Sequence, residues 1–398
     1  MTNDRKNQSG LFIHSGGKVS YYYFRDEVVR RVSLGQNDYL YFMPVNRAVR
    51  RLKRQLVNEA PGQALIDPPV FTFDDFLLRL YNLLPRPRKV LQPEVVLFFI
   101  EDILQKEAPE FGYLLPDKTV TPGLVKKTAD MVAEFRRFGY DSEKFDAKTE
   151  ETPQAERQKY HDFKMLISRL EDRFGDEFID EPFARHRASL MLNKELFESR
   201  FPEVKEIFIN GYGLFTPAMY LFIEKTAQWL PVHIKLEYCA DNPALFQQTA
   251  EAAERFKEMG AQFRQEEKHS LLARRLFNRE EIVSASSLPA QSYIIRGLTN
   301  RREETEYIAR RILDLHRREA APLHRIAVTF PNLEKYIPIL RRTFEAYGIP
   351  YNLSTGLRLH QSPLIRTFLR CLQVVESRFE YRKTLELLNS PFLRLQGK

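Results

Sequence analysis

Ser15, Gly16, Gly17 and Lys18 are the first residues of the chain whose types and spacing suit a chemical task. Small residues followed by a lysine are how backbone N–H groups wrap a phosphate. A working phosphate loop has the spacing GxxxxGK(S/T), in which the final hydroxyl holds a metal ion. Here Val19 follows Lys18 and the first glycine is absent, so ATP hydrolysis is not expected. The surrounding stretch, LFIHSGGKVSYYYF from Leu11 to Phe24, has a second reading. Gly-Gly between two runs of aromatic and β-branched residues is a good two-residue hairpin turn. On these residues alone the hairpin is the better fit.

A second group of residues is basic. Arg47, Arg50, Arg51 and Arg54 fall on one face of a helix expected over Asn46 to Glu59, beside an apolar stripe of Val45, Val49, Leu52 and Leu56. Each guanidinium suits a charge-assisted contact to a phosphate oxygen, while a merely solvated helix face is the bland alternative. Other chemistries find little support. His14, His161 and His186 are isolated, no Ser/His/Asp grouping can be argued, and no PD…(D/E)xK arrangement stands in a credible context. Two cysteines, Cys239 and Cys371, are too few and too far apart for a disulfide framework, a zinc site or a complete iron–sulfur site.

Composition sets the frame for these groups. With 398 residues, two or three domains are expected. A hydrophobic fraction of 43% with 29% charged residues is that of a folded, water-exposed protein. The formal net charge of +8 suits a polyanionic partner without identifying one. No apolar run approaches the roughly 20 residues needed to cross a bilayer, and the opening MTNDRKNQSG lacks the apolar core of a secretory signal, so a cytoplasmic location and no membrane partner are expected.

The elements that must position these residues alternate between strand and helix. YLYFMP (Tyr39 to Pro44) reads as a buried strand ahead of the basic helix, and Val70 to Phe73 as another, with Asp74 or Asp75 capping the helix that follows. Helical patterns then run through Glu94 to Lys106, Gly123 to Phe138, Ala155 to Phe174 and Phe183 to Phe197, with no convincing strand before Glu206. Strands return at Ile207 to Asn210 and in VHIKLEYC, joined by a helix begun at Thr216-Pro217. A second alternation starts at SYIIRG and includes HRIAVTFPN, a helix ended by Gly348, and IPYNLS; two further helices follow.

The order of these pieces and four local strings resemble the AddB/RexB-type subunit of bacterial ATP-dependent helicase–nucleases, which is built on the RecB/UvrD-like helicase fold. The strings are YLYFMPVNRAVRRLKRQL, VFTFDDFLLRL, EIFINGYGLFTPAMYLF, and REETEYIARRILDL with RIAVTFPNLEKYIPILRRTFEAYGIPY. The resemblance implies an α/β chain with two RecA-like (P-loop NTPase-like) parallel-sheet domains and a helical insertion in the first. It places the first domain at residues 1–90 and 204–290, the insertion at 91–203 and the start of the second domain at 291–398. It also implies a longer protein of which this is an N-terminal part, with a nuclease domain, magnesium and an iron–sulfur cluster in the full-length chain and no cofactor in this part.

Within that frame a vestigial phosphate loop at Ser15, Gly16, Gly17 and Lys18 becomes the better reading, with ATP binding in doubt. Asn210 and Gly211 stand where a motor ATPase needs a carboxylate for magnesium and water. The expected function is a non-hydrolysing, helicase-like part of a DNA-repair and recombination exonuclease subunit, not itself catalytic. Its expected partners are DNA, as a single strand or duplex end, and an AddA-like subunit. DNA contacts are expected from Arg47, Arg50, Arg51, Arg54 and, by resemblance, Thr72; Tyr212 suits stacking on a base or core packing equally. An interaction scaffold without DNA binding and a weak ATPase are the alternatives.

Overall fold

The computed structural model describes residues 9–16, 23–149, 153, 156–267, 274, 276, 294–354, 359 and 362–393. The chain divides into two compact units, residues 1–288 and 289–398.

The first unit is built on eight strands: β1 (Gly10–Gly16), β2 (Tyr39–Phe42), β3 (Val70–Phe71), β4 (Lys89–Leu91), β5 (Phe178–Asp180), β6 (Glu206–Asn210), β7 (Pro231–Lys235) and β8 (Gln262–Glu267). Six of them form one sheet in the order β3-β2-β6-β7-β1-β8, every neighbouring pair parallel. Residues 17–22 of the hairpin read over Leu11 to Phe24 lie outside the described residues, and the described strand pairs only in parallel. β1 has β7 on one side and β8 on the other, which leaves it no edge for an antiparallel arm.

Strict side-chain alternation explains why these short runs are strands. Leu11, Ile13, Leu40, Phe42, Ile207, Ile209, Val232 and Ile234 all point to one face. There they meet helices α3 (Phe73–Asn82), α8 (Glu181–Met191), α10 (Pro217–Ala227) and α11 (Gln247–Glu258) through Phe76, Leu80, Ala184, Phe222 and Phe256. Tyr39, Tyr41 and Phe208 point the other way, against Val28 and Val32 of α1 (Arg25–Ser33) and Val49, Leu52 and Leu56 of α2 (Asn46–Glu59). Both faces are covered, as a parallel sheet requires. The apolar stripe of α2 is one residue shorter than expected: Val45 is the N-cap and is exposed.

Between β3 and β6 the chain builds α4 (Pro93–Lys106), α5 (Pro122–Arg137), α6 (Ser142–Thr149) and α7 (Arg157–Phe174), which close over a core of their own that includes Ile100, Ile103, Leu115, Val132, Phe163, Leu166 and Leu170. β4 and β5 pair in parallel where this layer begins and ends, Lys89 opposite Phe178 and Leu91 opposite Asp180. The single helix expected over Phe183 to Phe197 is two, α8 and α9 (Lys194–Arg200). Asn193 interrupts it by accepting the Leu196 N–H at 2.8 Å as the cap of α9. Ala184, Ala188 and Phe197 belong to the core under the sheet, not to that of the helical layer.

The second unit contains α12 (Arg301–Arg318), α13 (Ile337–Ala346), α14 (Pro363–Glu376) and α15 (Tyr381–Leu388). Gly348, at φ +64°, ends the α13 turn as expected of a C-terminal glycine. The strands expected at SYIIRG, HRIAVTFPN and IPYNLS do not form among the described residues. Ile326, Phe330, Ile349, Tyr351 and Leu353 do pack against α12 and α13 through Ile312, Leu340 and Phe344. Apolar side chains satisfied in this way do not make a strand, because a strand exists only when a neighbour supplies its hydrogen bonds. No described helix is long and apolar enough to cross a membrane.

Candidate nucleic-acid interface

In an open parallel sheet the ligand crevice lies beyond the carboxyl ends of the strands, where neighbouring connections run in opposite directions. Here that point falls between β2 and β6. From β2 the chain moves outward to β3, and from β6 it moves the other way to β7. A cavity of about 390 Å³ lies here, lined by the first residues of three helices: Asn46 of α2, Thr72 and Phe73 at α3, and Thr216 at α10.

Two of the three helix starts are capped from within. Thr72 Oγ1 accepts the Asp75 N–H at 3.1 Å and donates to the Asp75 carboxylate at 2.8 Å. Thr72, not Asp74 or Asp75, is therefore the cap of α3, because it alone has the extended backbone that a cap needs while both aspartates lie in the first turn. Thr216 Oγ1 accepts the Met219 N–H at 3.4 Å, and Pro217 follows in the first helical position. α2 has no side-chain cap at all. The start of an uncapped helix offers backbone N–H groups and the positive end of the helix dipole to an anion.

Tyr212 ties the three starts together. Its hydroxyl donates to the Met43 carbonyl at 2.7 Å and accepts the Phe73 N–H at 3.1 Å, while its ring packs edge-on to Phe73 with centroids 5.4 Å apart. Burial raises the phenol above its ordinary range, so it remains a neutral donor. The Gly-Tyr-Gly turn after β6 thus fixes the loops after β2 and β3, 169 and 139 residues away in sequence.

The cations come from three elements. Arg47, Arg50, Arg51 and Arg54 are exposed along α2, beginning one residue beyond Asn46 in the cavity wall. Arg137, at the end of α5, and Arg185, on α8, also line the cavity. Arg185 is ion-paired with Glu181 on its own helix and lies 3.4 Å from Asp74 of α3. Neither Arg137 nor Arg185 was legible as a site residue, since nothing in their local strings says that α5 and α8 come to rest beside α3.

The neighbourhood of the phosphate-loop reading differs from this crevice. Ser15 and Gly16 end β1; Gly17 and Lys18 lie outside the described residues. Beside β1, His14 Nε2 lies 3.0 Å from His233 Nδ1, and His233 Nε2–H donates to Glu206 at 2.8 Å. Glu206 in turn pairs with Arg31, which reaches Glu27 and Asp38. Burial works to raise the Glu206 carboxyl, but the His233 hydrogen bond and the Arg31 charge outweigh it and hold it below its ordinary value. At the end of β6, the buried Asn210 spends its amide N–H on the Tyr41 hydroxyl at 3.1 Å. Two buried histidines packed among Phe12, Phe24 and Phe208 thus lead from β1 to a part-buried group of paired charges.

A family model described as "ADDB, N-terminal" matches residues 22–284. Among curated proteins, the chain is similar to an ATP-dependent helicase/deoxyribonuclease subunit of Staphylococcus carnosus, 25% identical over 75% of this chain and 27% of that protein. It is also similar to the subunits of the same description from Alkaliphilus metalliredigens and Clostridium tetani, each 21% identical, over 94% and 96% of this chain and 34% and 35% of theirs. The chain spans about a quarter to a third of the length of the curated relatives it matches. Matched over most of its length, the chain belongs to the AddB family, in the part described by that family's N-terminal region.

Proposed function

We propose that this chain is the helicase-like, non-hydrolysing DNA-holding part of an AddB-type helicase–nuclease subunit acting in double-strand break repair. The observation that carries the reading is the convergence of three helix starts on the switch-point crevice, continuous with the arginine face of α2. Backbone N–H groups and guanidiniums together suit a run of phosphates better than a single small anion. In this reading the two units are RecA-like domains of a cytoplasmic complex, the partner chain is an AddA-like motor subunit, and DNA enters as a single strand or duplex end. Tyr212 acts chiefly as the strut between loops, with its ring face as a stacking surface for a base. ATP turnover has no part in it, since Val19 and Asn210 replace the hydroxyl and the carboxylate that hydrolysis needs. The reading needs no iron–sulfur cluster in this part of the protein, since two cysteines are fewer than a cluster's thiolate ligands.

Replacing Arg47, Arg50, Arg51 and Arg54 with Glu is expected to weaken binding to a single-stranded oligodeoxynucleotide and to flatten its salt dependence, by a slope of about 0.7 for each phosphate that is no longer neutralised. Fluorescence anisotropy across a salt titration measures both; an unchanged slope removes α2 from the interface. A scaffold role is the second reading, favoured by the exposed apolar side chains of α14 and α15, among them Phe368, Leu372 and Val375. The two readings part on one comparison: the DNA-holding chain binds the oligonucleotide alone, whereas a pure scaffold binds only a motor subunit. DNA-stimulated ATP hydrolysis abolished by Lys18→Ala would instead revive a live nucleotide site.

A further inference from the structure

The crevice contains an internal competitor for its own ligand. Its lining carries two cations, Arg137 and Arg185, and two carboxylates, Asp74 and Asp75, so the charges cancel where a phosphate is proposed to sit. The carboxylates differ in what holds them. Asp75 is fixed by the Thr72 hydroxyl, which it accepts at 2.8 Å, and so belongs to the cap of α3. Asp74 is more than half exposed, and its one ion pair among the described residues is with Arg185 at 3.4 Å, too long for a good hydrogen bond. Arg185 is largely buried, is already served by Glu181, and keeps a buried Nε–H without a partner. An exposed carboxylate in loose contact with an under-used guanidinium at the mouth of an anion site has the place and charge of a bound phosphate. It costs an incoming strand both repulsion and competition.

We propose that Asp74 is an electrostatic brake that occupies Arg185 in the free protein and must give way when a DNA phosphate enters. This rests on the DNA-binding reading above and makes Asp74 a specificity residue. Sequence-independent phosphate binding is held weak, and a strand stays only where its remaining contacts repay displacing Asp74. Arg137, exposed and with no ion-pair partner among the described residues, meets the strand first, and Arg185 is recruited second.

The test compares the intact chain with Asp74→Asn and with Asp74→Asn combined with Arg185→Gln, using a mixed-sequence single-stranded oligodeoxynucleotide over a salt series. Asp74 is exposed, so the first variant should keep the parent's unfolding midpoint, which circular dichroism checks. Asp74→Asn is expected to bind about three- to tenfold tighter at low salt. Its salt slope should steepen by about 0.7, the signature of one added phosphate contact. The double variant should return both quantities to the parent's values. If Asp74→Asn changes neither while charge reversal on α2 still abolishes binding, the brake is overturned and the DNA-holding reading stands. If the double variant keeps the gain, Asp74 acts by repulsion alone and the role of Arg185 is overturned. If neither the parent nor Asp74→Asn binds at low salt, both readings fall together.

Discussion

His186 is walled in on α8 by the end of α5. Gly139, at φ +77°, lets the chain turn there, and a Cβ built on it would collide with His186 Nε2. Burial, and then the charges of Lys144 and Arg136, push the imidazole down to about 4 against the opposing pull of Asp141. As pH falls below about 6.5 the unfolded chain takes up a proton that the folded chain refuses, so stability is full above that value and declines until pH reaches the folded pKa. The decline is expected to be on the order of 2 kcal/mol after allowing for solvent screening. Urea unfolding at a series of pH values should show it, and His186→Gln should flatten the slope between pH 6.5 and about 4. The separate loss from Glu206, whose carboxyl is held low, should remain below its ordinary value near 4.5. An identical slope in the Gln variant would place the acid sensitivity elsewhere. At this scale the sequence was legible only where a residue acts on its near neighbours. Thr216, followed by Pro217, was legible as a cap, while at α3 the expected caps Asp74 and Asp75 give way to Thr72. The pairing of Tyr212 with Met43 and Phe73 depends on strand order that no local string encodes.

Arg136 holds several elements together. From the last turn of α5 it donates to Asp180 at 2.8 Å, pairs with Glu171 of α7 and lies 3.7 Å from the centre of the Phe183 ring on α8. Asp180 also caps α8 by accepting the Phe183 N–H at 2.9 Å. Replacing Arg136 with Met leaves two carboxylates short of a partner in a site where arginine and Asp180 are almost fully buried. Thermal unfolding is expected to register a loss of about 3–5 kcal/mol, and an unchanged midpoint would mean that the ion pairs do not clamp the helical layer. Helices were more legible than strands for a physical reason. The bounds of α2 follow from a periodic apolar stripe inside one segment, but β4 and β5 are three-residue strands that exist only because each supplies the other's partner. The break between α8 and α9 did carry a local signal, Asn193 followed by a charged first turn, which the continuous apolar pattern overrode.

At the scale of the molecule, the alternation of strand and helix announced a parallel α/β sheet with helices inserted, while the strand order β3-β2-β6-β7-β1-β8 was not legible, because order follows from crossovers and not from composition. The second unit leaves a continuous apolar face in water. Leu364, Phe368, Leu372 and Val375 recur along α14, and Tyr381, Leu385 and Leu388 along α15, all exposed. Patches of this kind mark contact surfaces. The chain alone is expected to bind an apolar dye and to self-associate as its concentration rises, and Phe368→Glu with Leu372→Glu should suppress both in sedimentation velocity. A monomer at all concentrations would show that this face is tolerated by solvent. The position of β1 has a further consequence, for the birth of the protein. Its partners are residues 231–235 and 262–267, so the middle of the sheet cannot close while a ribosome is still adding the residues between. The helical layer, whose contacts are nearer in sequence, can condense first on the emerging chain. Leu11, Ile13 and both edges of β1, made first, then wait for β7 and β8, and a slow or stalled synthesis leaves those edges open to the wrong strand.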